Sequence, residues 1–254
     1  NVPLEGSPLG DHQLVVGGQY VENKLVDLNP GVSATQKASF SVWQRALFVE
    51  DEWRLNERFA LTGGLRFDDH ERYGSRWSPR LYAVWTPADD WTIKGGVSTG
   101  FRAPELRQVA EGYAYTTGGA TCTVGPTGTC GVIIGDPDIE PETSTNYEVS
   151  VLWNPSTTLS ASATVFRTAF KDKIDSALVY NEDGSIARWD ENPNYRLYYW
   201  YNLQDADLQG VELSARWRPF DRLGLKAGYT YTESEQKSGT YQGLPLSRTP
   251  EHMA

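Results

Sequence analysis

Strict alternation of apolar and polar side chains is the feature of this sequence that most constrains its fold. Residues 223–232 read LGLKAGYTYT, so that Leu225 and Tyr229 lie on one face of an extended strand and Lys226 and Thr230 lie on the other. Successive side chains of a β-strand point to opposite faces, so one face here suits lipid and the other suits water. The same split predicts strands near residues 11–21, 39–53, 59–67, 80–85, 91–101, 146–153, 158–168, 211–217 and 223–232, and another that opens near residue 249.

The connections between these strands alternate in length. Short ones follow Trp53, Trp85, Trp153 and Trp217. Most of the others are long, near residues 22–38, 102–142, 171–200 and 236–248, with a brief one at 70–75. Short turns at one edge and long loops at the other are the arrangement of outer-membrane barrels. We predict that the four Trp side chains lie outside the wall in one band at the short-turn edge, as an aromatic girdle at the lipid–water interface.

Composition removes several other classes of protein. No apolar run approaches the ~20 residues that a membrane-spanning helix needs. A net charge of -10 argues against nucleic acid as a partner, because nucleic acid attracts a basic face. A soluble β-sandwich would also alternate, but it gives no reason for Trp to recur before every second turn. The predicted fold class is therefore all-β, an antiparallel transmembrane β-barrel with short periplasmic turns and long extracellular loops.

The two cysteines and three histidines limit the metal-binding and catalytic chemistry that the sequence can support. Cys122 and Cys130 lie close together in a stretch rich in Gly and Thr, without the further Cys or His that a metal site would want. A local disulfide within a small hairpin is the better interpretation, and it indicates an oxidising compartment. The histidines, His12, His70 and His252, lie in separate segments, and no nucleophile motif is present, so nothing supports catalysis.

Seven blocks of sequence, in order along the whole chain, resemble TonB-dependent outer-membrane receptors, and within that family the catecholate-siderophore branch. The first four are Ala46–Trp53, Trp77–Arg80, Trp91–Pro104 and Gly135–Ser144. The other three are Gln209–Glu212, Tyr229–Gln236 and Thr249–Met253. Any one block is a weak signal, and their order and spacing together are specific.

This resemblance implies a 22-stranded barrel that is filled by an N-terminal plug and coupled through TonB to the proton-motive force. Residues 1–254 would hold about ten of those strands, without the plug, the TonB box or the closing strands. Both ends of the sequence lack the features of a natural terminus, and we expect them to be interior to a longer chain. The implied function is uptake of an anionic ferric siderophore across the bacterial outer membrane. The implied partners are the siderophore, TonB, outer-membrane lipid and, as a further candidate, a colicin or a phage.

A ferric catecholate is a large anion whose iron is already fully coordinated, so the protein supplies no cofactor and no iron ligand. It needs positive charge and aromatic faces on its outer loops. Loops 102–142 and 171–200 supply both, in the candidate ligand residues Arg102, Arg107, Tyr113, Tyr115, Tyr195, Arg196, Tyr198, Tyr199 and Trp200. Arg72, Tyr73 and Arg76 border the brief loop nearby. The alternative for any single residue is an ordinary surface or rim side chain.

A second set of charged residues faces the lumen by strand parity. These residues are Arg66, Arg80, Lys94, Glu148, Glu212, Arg216 and Lys226. One interpretation is that they solvate the lumen or pair with one another. The other is that they hydrogen-bond the plug of the intact receptor and hold it in place.

Three competing functions stay open on the sequence alone. A haem receptor of the same superfamily would place a histidine between Phe101 and Ser144, and this sequence has none there. A cobalamin receptor shares the barrel motifs, which are more widespread than the ligand contacts. A passive porin or an adhesin is a different class, which an upstream plug domain would exclude.

Overall fold

The structure, a computed structural model of the chain, describes residues 2–7, 10–29, 31, 35–239 and 241–254. The strands that form the wall are β1 (Val2–Ser7), β2 (Gly10–Asp27), β3 (Ala38–Asn56), β4 (Phe59–His70), β5 (Gly74–Ala88), β6 (Trp91–Arg102), β9 (Glu142–Ser156), β10 (Leu159–Leu178), β12 (Asn192–Phe220), β13 (Leu223–Gln236) and β14 (His252–Met253). The smaller elements are α1 (Leu106–Val109), β7 (Ala114–Thr117), β8 (Gly131–Ile134) and β11 (Arg188–Trp189). In this part of the chain no helix has the length and apolarity needed to cross a membrane.

The wall strands follow one another as hairpins in a single antiparallel sheet, in the order β1-β2-β3-β4-β5-β6-β9-β10-β12-β13-β14. Antiparallel neighbours need only short connections, whereas parallel ones need a crossover. Three small strands pair beside this path: β7 with β8, β8 parallel to β12, and β11 with β12. The predicted all-β antiparallel fold is confirmed, and each strand predicted between residues 11 and 232 overlaps an observed one.

Several predicted boundaries are wrong, and most of them assign strand residues to loops. The loop predicted at 22–38 is shorter than expected, because β2 and β3 stay paired up to Asp27 and Ala38. The loop predicted at 171–200 is shortened in the same way, since β10 pairs with β12 up to Leu178 and Tyr198. These strands continue past the membrane because the hairpin partner satisfies the backbone there, even where the apolar alternation has stopped. Strand β1 is absent from the prediction, and β14 begins three residues later than expected.

The short connections are all two-residue turns. They lie at 57–58, 89–90, 157–158 and 221–222. Each of Trp53, Trp85, Trp153 and Trp217 stands three residues before the end of its strand, at Asn56, Ala88, Ser156 and Phe220. The residues directly after each Trp therefore belong to the strand and not, as expected, to the turn. The four Trp residues nevertheless occupy equivalent positions at the same edge of the sheet.

The register places these four Trp residues on one face. Residues directly opposite each other in an antiparallel pair share a face. Trp53 is opposite Leu61, and one row of opposed residues then crosses the sheet through Leu61, Ala83, Gly95, Val149, Val165 and Val211. Trp85, Trp153 and Trp217 lie an even number of residues from members of that row. The prediction that the four Trp residues share one face at the short-turn edge is confirmed, and this apolar face is the one that suits lipid.

The apolar face has the height of a membrane. On β4 and β5 the ring centres of Phe67 and Trp77 lie 4.7 Å apart, at the edge opposite the short turns. Trp77 and Trp85 are on the same strand and face, and eight residues of strand span roughly 26 Å. Outer-membrane barrels carry an apolar band of about 25 Å between two aromatic girdles. Residues beyond Phe67 and Trp77 therefore lie on the extracellular, water-exposed side.

The two faces of one strand give opposite predictions for the same substitution. Leu213 is on the apolar face near the middle of the band, and its neighbour Ser214 is on the polar face. Leu213→Arg should lower the free energy of unfolding of the intact receptor in vesicles by about 2–4 kcal/mol, because it places a charge in hydrocarbon. Ser214→Arg is the matched control and should cost much less. Equal losses in denaturant titrations of the two variants would contradict the assignment of the faces.

Candidate functional site

The buried hydrophobic side chains of this chain concentrate at the extracellular edge. They come mainly from the connection between β6 and β9 (residues 103–141), together with the upper ends of β10 and β12. Val109, Ile139 and Ile174 form one buried cluster, against which Trp200 packs. A second cluster contains Leu203, Ala206 and Leu246. The membrane band holds no such core, so the packed layer at the extracellular edge is where side chains are held in fixed positions.

One end of the β6–β9 connection is fastened to β2. The side chain of Asn29, which is 4% exposed, donates to the carbonyl of Ala114 at 2.9 Å and accepts from its N–H at 2.8 Å. The Tyr113 hydroxyl donates to the Asp27 carboxylate at 2.9 Å. Burial raises the pKa of the Tyr113 hydroxyl, and the hydrogen bond to Asp27 raises it further, so Tyr113 is a neutral donor at pH 7.

The turn between β4 and β5 is bonded to the same connection. The Tyr73 hydroxyl donates to the Ile139 carbonyl at 3.0 Å, and the Arg72 guanidinium donates to the Pro137 carbonyl. Each contact joins residues more than sixty positions apart in the chain. The two side chains thereby tie the turn to the connection above it.

The far side of the connection is fastened to β12 and β10. The Asn202 amide donates to the Glu140 carbonyl at 2.9 Å and accepts from the Glu140 N–H at 2.8 Å. The Glu142 carboxylate accepts from the Ile174 N–H at 3.1 Å.

In the sheet, β2 and β12 are separated by six other strands, about 34 Å at a strand spacing of ~4.8 Å. Ala114, which bonds to Asn29, is opposite Ile134 of β8, and Ile134 is opposite Tyr199 of β12. Because this path across the connection is much shorter than the path along the sheet, the wall must curve around the connection.

The disulfide between Cys122 and Cys130 is present, as the sequence predicts. It closes the tip of the hairpin formed by β7 and β8. Two guanidinium groups reach this tip: Arg196 donates to the Gly128 carbonyl at 3.0 Å, and Arg188 donates to the carbonyls of Gly125 and Gly128 at 3.3 Å. The tip is therefore held both covalently and by charge-assisted hydrogen bonds.

The candidate ligand residues of the first loop are already engaged within the protein. Arg102 forms an ion pair with Glu142 at 3.2 Å and approaches Glu105 at 3.9 Å. Arg107 pairs with Glu105 at 3.3 Å, and its guanidinium lies 5.1 Å from the centre of the Tyr115 ring. Tyr113 is buried and bonded to Asp27. Arg102, Arg107 and Tyr115 keep partly exposed surfaces, whereas Tyr113 does not.

The candidates of the second loop all lie on β12 and divide between its two faces. Tyr198 covers Gly131 of β8, where any side chain would collide with its ring. Trp200 packs into the Val109 cluster, and its Nε1–H has no hydrogen-bond partner among the residues the structure describes. Tyr199 is exposed and its ring lies 5.7 Å from that of Tyr201. Tyr195 is half-buried at the start of the strand.

Strand β8 joins the two sets of candidates into one layer. Ile133 is opposite Tyr115 on one side and Tyr198 on the other, so these two tyrosines share a face. Arg196 and Trp200 lie on that same face of β12, and Tyr195 and Tyr199 lie on the opposite face. The structure thus brings together Tyr115, Arg196 and Tyr198, and separates them from Tyr195 and Tyr199.

Helix α1 follows β6 after a short connection. Glu105 is the N-cap residue, and its backbone N–H donates to the side chain of Gln108 at 2.7 Å. Pro104 therefore stands one residue before the cap. The helix packs more closely against β2 and β3 than against β6, from which the connection leaves.

All seven charged residues predicted to face the lumen share the polar face of the sheet. Two of them pair within the wall: Arg66 with Asp68 at 2.8 Å and Arg80 with Glu50 at 3.1 Å. Lys94, Glu148, Glu212, Arg216 and Lys226 form no ion pair with another residue in the described part of the chain.

Two of these cations oppose each other directly. Arg216 on β12 is opposite Lys226 on β13, and the hydroxyls of Ser160, Ser162 and Ser214 surround them. Like charges that face each other across a strand pair are destabilising. An anion that is not part of the described wall would relieve this repulsion.

Sequence reasoning noted Arg72 and Tyr73 as bordering residues but missed His70 as part of the site. Arg72 and Tyr73 hold the β6–β9 connection, and His70 is buried beside them. The signal that could have found them is their position, because three polar or aromatic residues stand at the end of β4 and in the turn that follows it. No group of three or more His, Cys, Asp or Glu side chains in the described ranges is placed to hold a metal ion.

Comparison with known proteins gives one family. The family model for the TonB dependent receptor-like β-barrel matches residues 2–254. The chain is 39% identical over 250 residues to the iron-regulated outer membrane virulence protein of Vibrio cholerae. That alignment covers 97% of this chain and 36% of the virulence protein. It is 31% identical over 267 residues to the ferric enterobactin receptor PirA of Pseudomonas aeruginosa, covering 99% of this chain and 34% of that protein.

The solved structures agree with these sequence relatives. The crystal structure of the siderophore receptor PirA from Pseudomonas aeruginosa matches with a TM-score of 0.76 at 28% identity, over 92% of this chain and 41% of that one. The chain therefore spans well under half the length of the proteins it resembles.

The disulfide gives a prediction about the hairpin tip. Replacing both Cys122 and Cys130 by Ser opens a short loop, which should cost about 2–3 kcal/mol of local stability. Amide hydrogen exchange of residues 118–131 should rise about thirtyfold or more, while exchange in β4 and β5 stays unchanged. The matched control is Thr129→Ser, in the same loop. Unchanged exchange in the double variant, or two free thiols in the unreduced protein by mass spectrometry, would contradict the assigned role.

Proposed function

The chain belongs to the TonB-dependent receptors, as part of their β-barrel domain, and from this premise we propose that the whole protein imports an anionic ferric siderophore across the bacterial outer membrane. The observation that carries the proposal is the packed extracellular layer, which presents arginines and aromatic rings above an acidic chain of net charge -10. The relatives that are named as siderophore receptors over nearly the whole of this sequence support it.

The wall described above is proposed to be part of a closed barrel. Its sheet has two edges, at β1 and at β14. An open sheet edge leaves backbone N–H and C=O groups without partners, which hydrocarbon does not tolerate. In the proposed closed barrel, further strands of the whole protein would pair with both edges. Residues 1–254 would then supply about ten of the 22 strands of such a barrel, with the plug and the closing strands contributed by other parts of the protein.

The ligand surface is proposed to be the outer side of the layer formed by the β6–β9 connection and the top of β12. A ferric catecholate carries its charge on oxygen atoms around a coordinated iron, and guanidinium groups and aromatic faces suit such a surface. The ion pairs with Glu142 and Glu105 leave N–H donors of Arg102 and Arg107 available, since each guanidinium has five of them. Tyr115, Arg196 and Tyr198 share one face beside them. Because iron arrives already chelated, the proposal needs no cofactor and no catalytic step.

The lumen face is proposed to hold the plug of the intact receptor. Arg216 and Lys226 repel each other and have no anionic partner in the described wall. Acidic groups of a plug would neutralise both and gain charge-assisted hydrogen bonds from the surrounding serines. Paired residues such as Arg66 and Asp68 would instead stiffen the wall. Coupling of the plug to TonB would then provide the energy for passage.

Ligand binding can be tested on two arginines of the layer. Arg102→Ala and Arg196→Ala in the full-length receptor should each weaken binding of a ferric tris-catecholate by about ten- to a hundredfold. A charge-assisted hydrogen bond that is partly desolvated is worth about 1.5–3 kcal/mol. Arg58→Ala is the matched control, because Arg58 is exposed at the short-turn edge and should bind as the wild type does. Isothermal titration in detergent gives the affinities.

Three outcomes of this titration would contradict parts of the proposal. Wild-type affinity in both variants removes Arg102 and Arg196 from the ligand surface. Tight binding of haem or cobalamin, with no binding of any ferric catecholate, overturns the ligand class and keeps the barrel. Passive diffusion of small solutes through vesicles that contain the receptor, with no saturable ligand, favours a porin.

The plug contact can be tested on the opposed cations. Arg216→Ser with Lys226→Ser should lower the free energy needed to release the plug from the full-length receptor by about 1–3 kcal/mol, because its acidic partners lose their cations. Lys24→Ser removes an exposed cation on the other face and is the control. Protease cleavage of the plug as a function of urea measures the release. A plug that is released at the same urea concentration in all three proteins would exclude the contact.

A further inference from the structure

A cavity of about 340 Å³ lies at the extracellular edge between three elements of the fold. The start of β3 forms one side, the turn between β4 and β5 forms the second, and helix α1 with Pro104 covers the third. Apolar side chains give it most of its surface, in Phe40, Val42, Leu106 and Val109. None of the nine residues predicted from the sequence to bind ligand lines it.

One wall of this cavity is an unpaired strand edge. Strand β3 pairs with β2 from Ala38 onward but with β4 only from Gln44 onward. The N–H and C=O of Trp43 point to the β4 side, where they meet the Glu71 carboxylate and the Glu71 N–H. Backbone groups alternate in direction along a strand, so those of Ser41 point the same way. They bond to no residue in the part of the chain that the structure describes.

A buried histidine supplies the second polar group. His70 is 5% exposed, and its Nδ1 accepts a hydrogen bond from the Arg72 N–H at 3.2 Å. A ring nitrogen that accepts carries no proton, so the neutral ring is protonated at Nε2. Burial lowers the pKa of His70, which keeps the ring neutral at pH 7. Its Nε2–H meets no acceptor among the described residues.

Aromatic and cationic groups complete the cavity. The rings of His70 and Tyr73 lie 5.0 Å apart, and the Arg72 guanidinium is 5.6 Å from the centre of the Tyr73 ring. Arg72 uses one donor on the Pro137 carbonyl and keeps its charge beside the cavity. A flat apolar ring with oxygen acceptors at one edge matches this surface. The ring would pack on the apolar side chains, and its oxygens would accept from His70 Nε2–H and Ser41 N–H.

We propose that this cavity is a subsite for a single catechol ring of the chelate, with His70 and Ser41 as its donors. The proposal rests on the proposed function for the class of ligand, and it adds a site that is separate from the arginine-bearing layer. It places one arm of the siderophore beneath helix α1, where the arm would be shielded from water.

The test uses the full-length receptor with two probes, catechol alone and a ferric tris-catecholate. His70→Leu keeps the bulk of the side chain and removes the donor, so it should weaken binding of both probes by about three- to tenfold. His70→Gln restores an N–H near the Nε2 position and should recover most of the affinity. His252→Leu changes a histidine on β14, outside the cavity, and should match the wild type. Ligand-observed NMR follows catechol, and calorimetry follows the chelate.

The outcomes separate this proposal from the function it rests on. The subsite is supported if the wild type binds catechol, His70→Leu loses this binding and His70→Gln recovers it, even if no ferric chelate binds. Binding of the ferric chelate that is equal in wild type and His70→Leu overturns the subsite and keeps the proposed function. Absence of catechol binding to the wild type also overturns it. A loss of affinity in His70→Leu that His70→Gln does not recover assigns the histidine a structural role and contradicts the proposal.

Discussion

Backbone hydrogen bonding in a medium without water is the constraint on which this structure depends. Each N–H and C=O within the lipid band must find a partner in the protein, because an unsatisfied group there costs several kcal/mol. Consecutive antiparallel strands meet this demand with two-residue turns at one edge and leave both faces free for side chains. The alternation of residues such as Leu213 and Ser214 follows, because one face meets lipid and the other meets the lumen. The wall therefore needs no hydrophobic core of its own.

The same hydrogen-bonded strand pairing, continued beyond the lipid, builds the packed layer at the extracellular edge. Strand β12 has 29 residues, far more than the ~10 that cross a membrane, and its upper part offers an edge to β8 once β13 has ended. Pairing with that edge orders the β6–β9 connection and draws Tyr115 and Tyr198 onto one face. The buried hydrophobic side chains lie in this layer and not in the wall, in the clusters around Val109 and Leu203. The packed layer at the extracellular edge thus depends on strands that continue beyond the membrane.

The sequence predicts the wall well, because the wall is local. Period-two alternation places Trp53 and Trp217 on one face without knowledge of any long-range contact, and the cysteine spacing predicts the Cys122–Cys130 disulfide. The layer escapes prediction because its contacts join distant residues, such as Asn29 with Ala114 and Arg196 with Gly128. No local pattern indicates that Arg196 holds a carbonyl, or that Tyr113 is buried against Asp27. The alternation does not predict the strand ends at Asp27 and Leu178, because the strands stay paired beyond the residues that alternate.

One wall separates lipid from the lumen, residue by residue. Spin labels at successive positions from 209 to 217 of the full-length receptor in vesicles measure this separation. We expect a period of two: labels at odd positions collide with oxygen dissolved in lipid, and labels at even positions, which face the lumen and the plug proposed to fill it, collide with oxygen much less. Oxygen accessibility that is equal at odd and even positions would contradict a wall with one lipid-facing side.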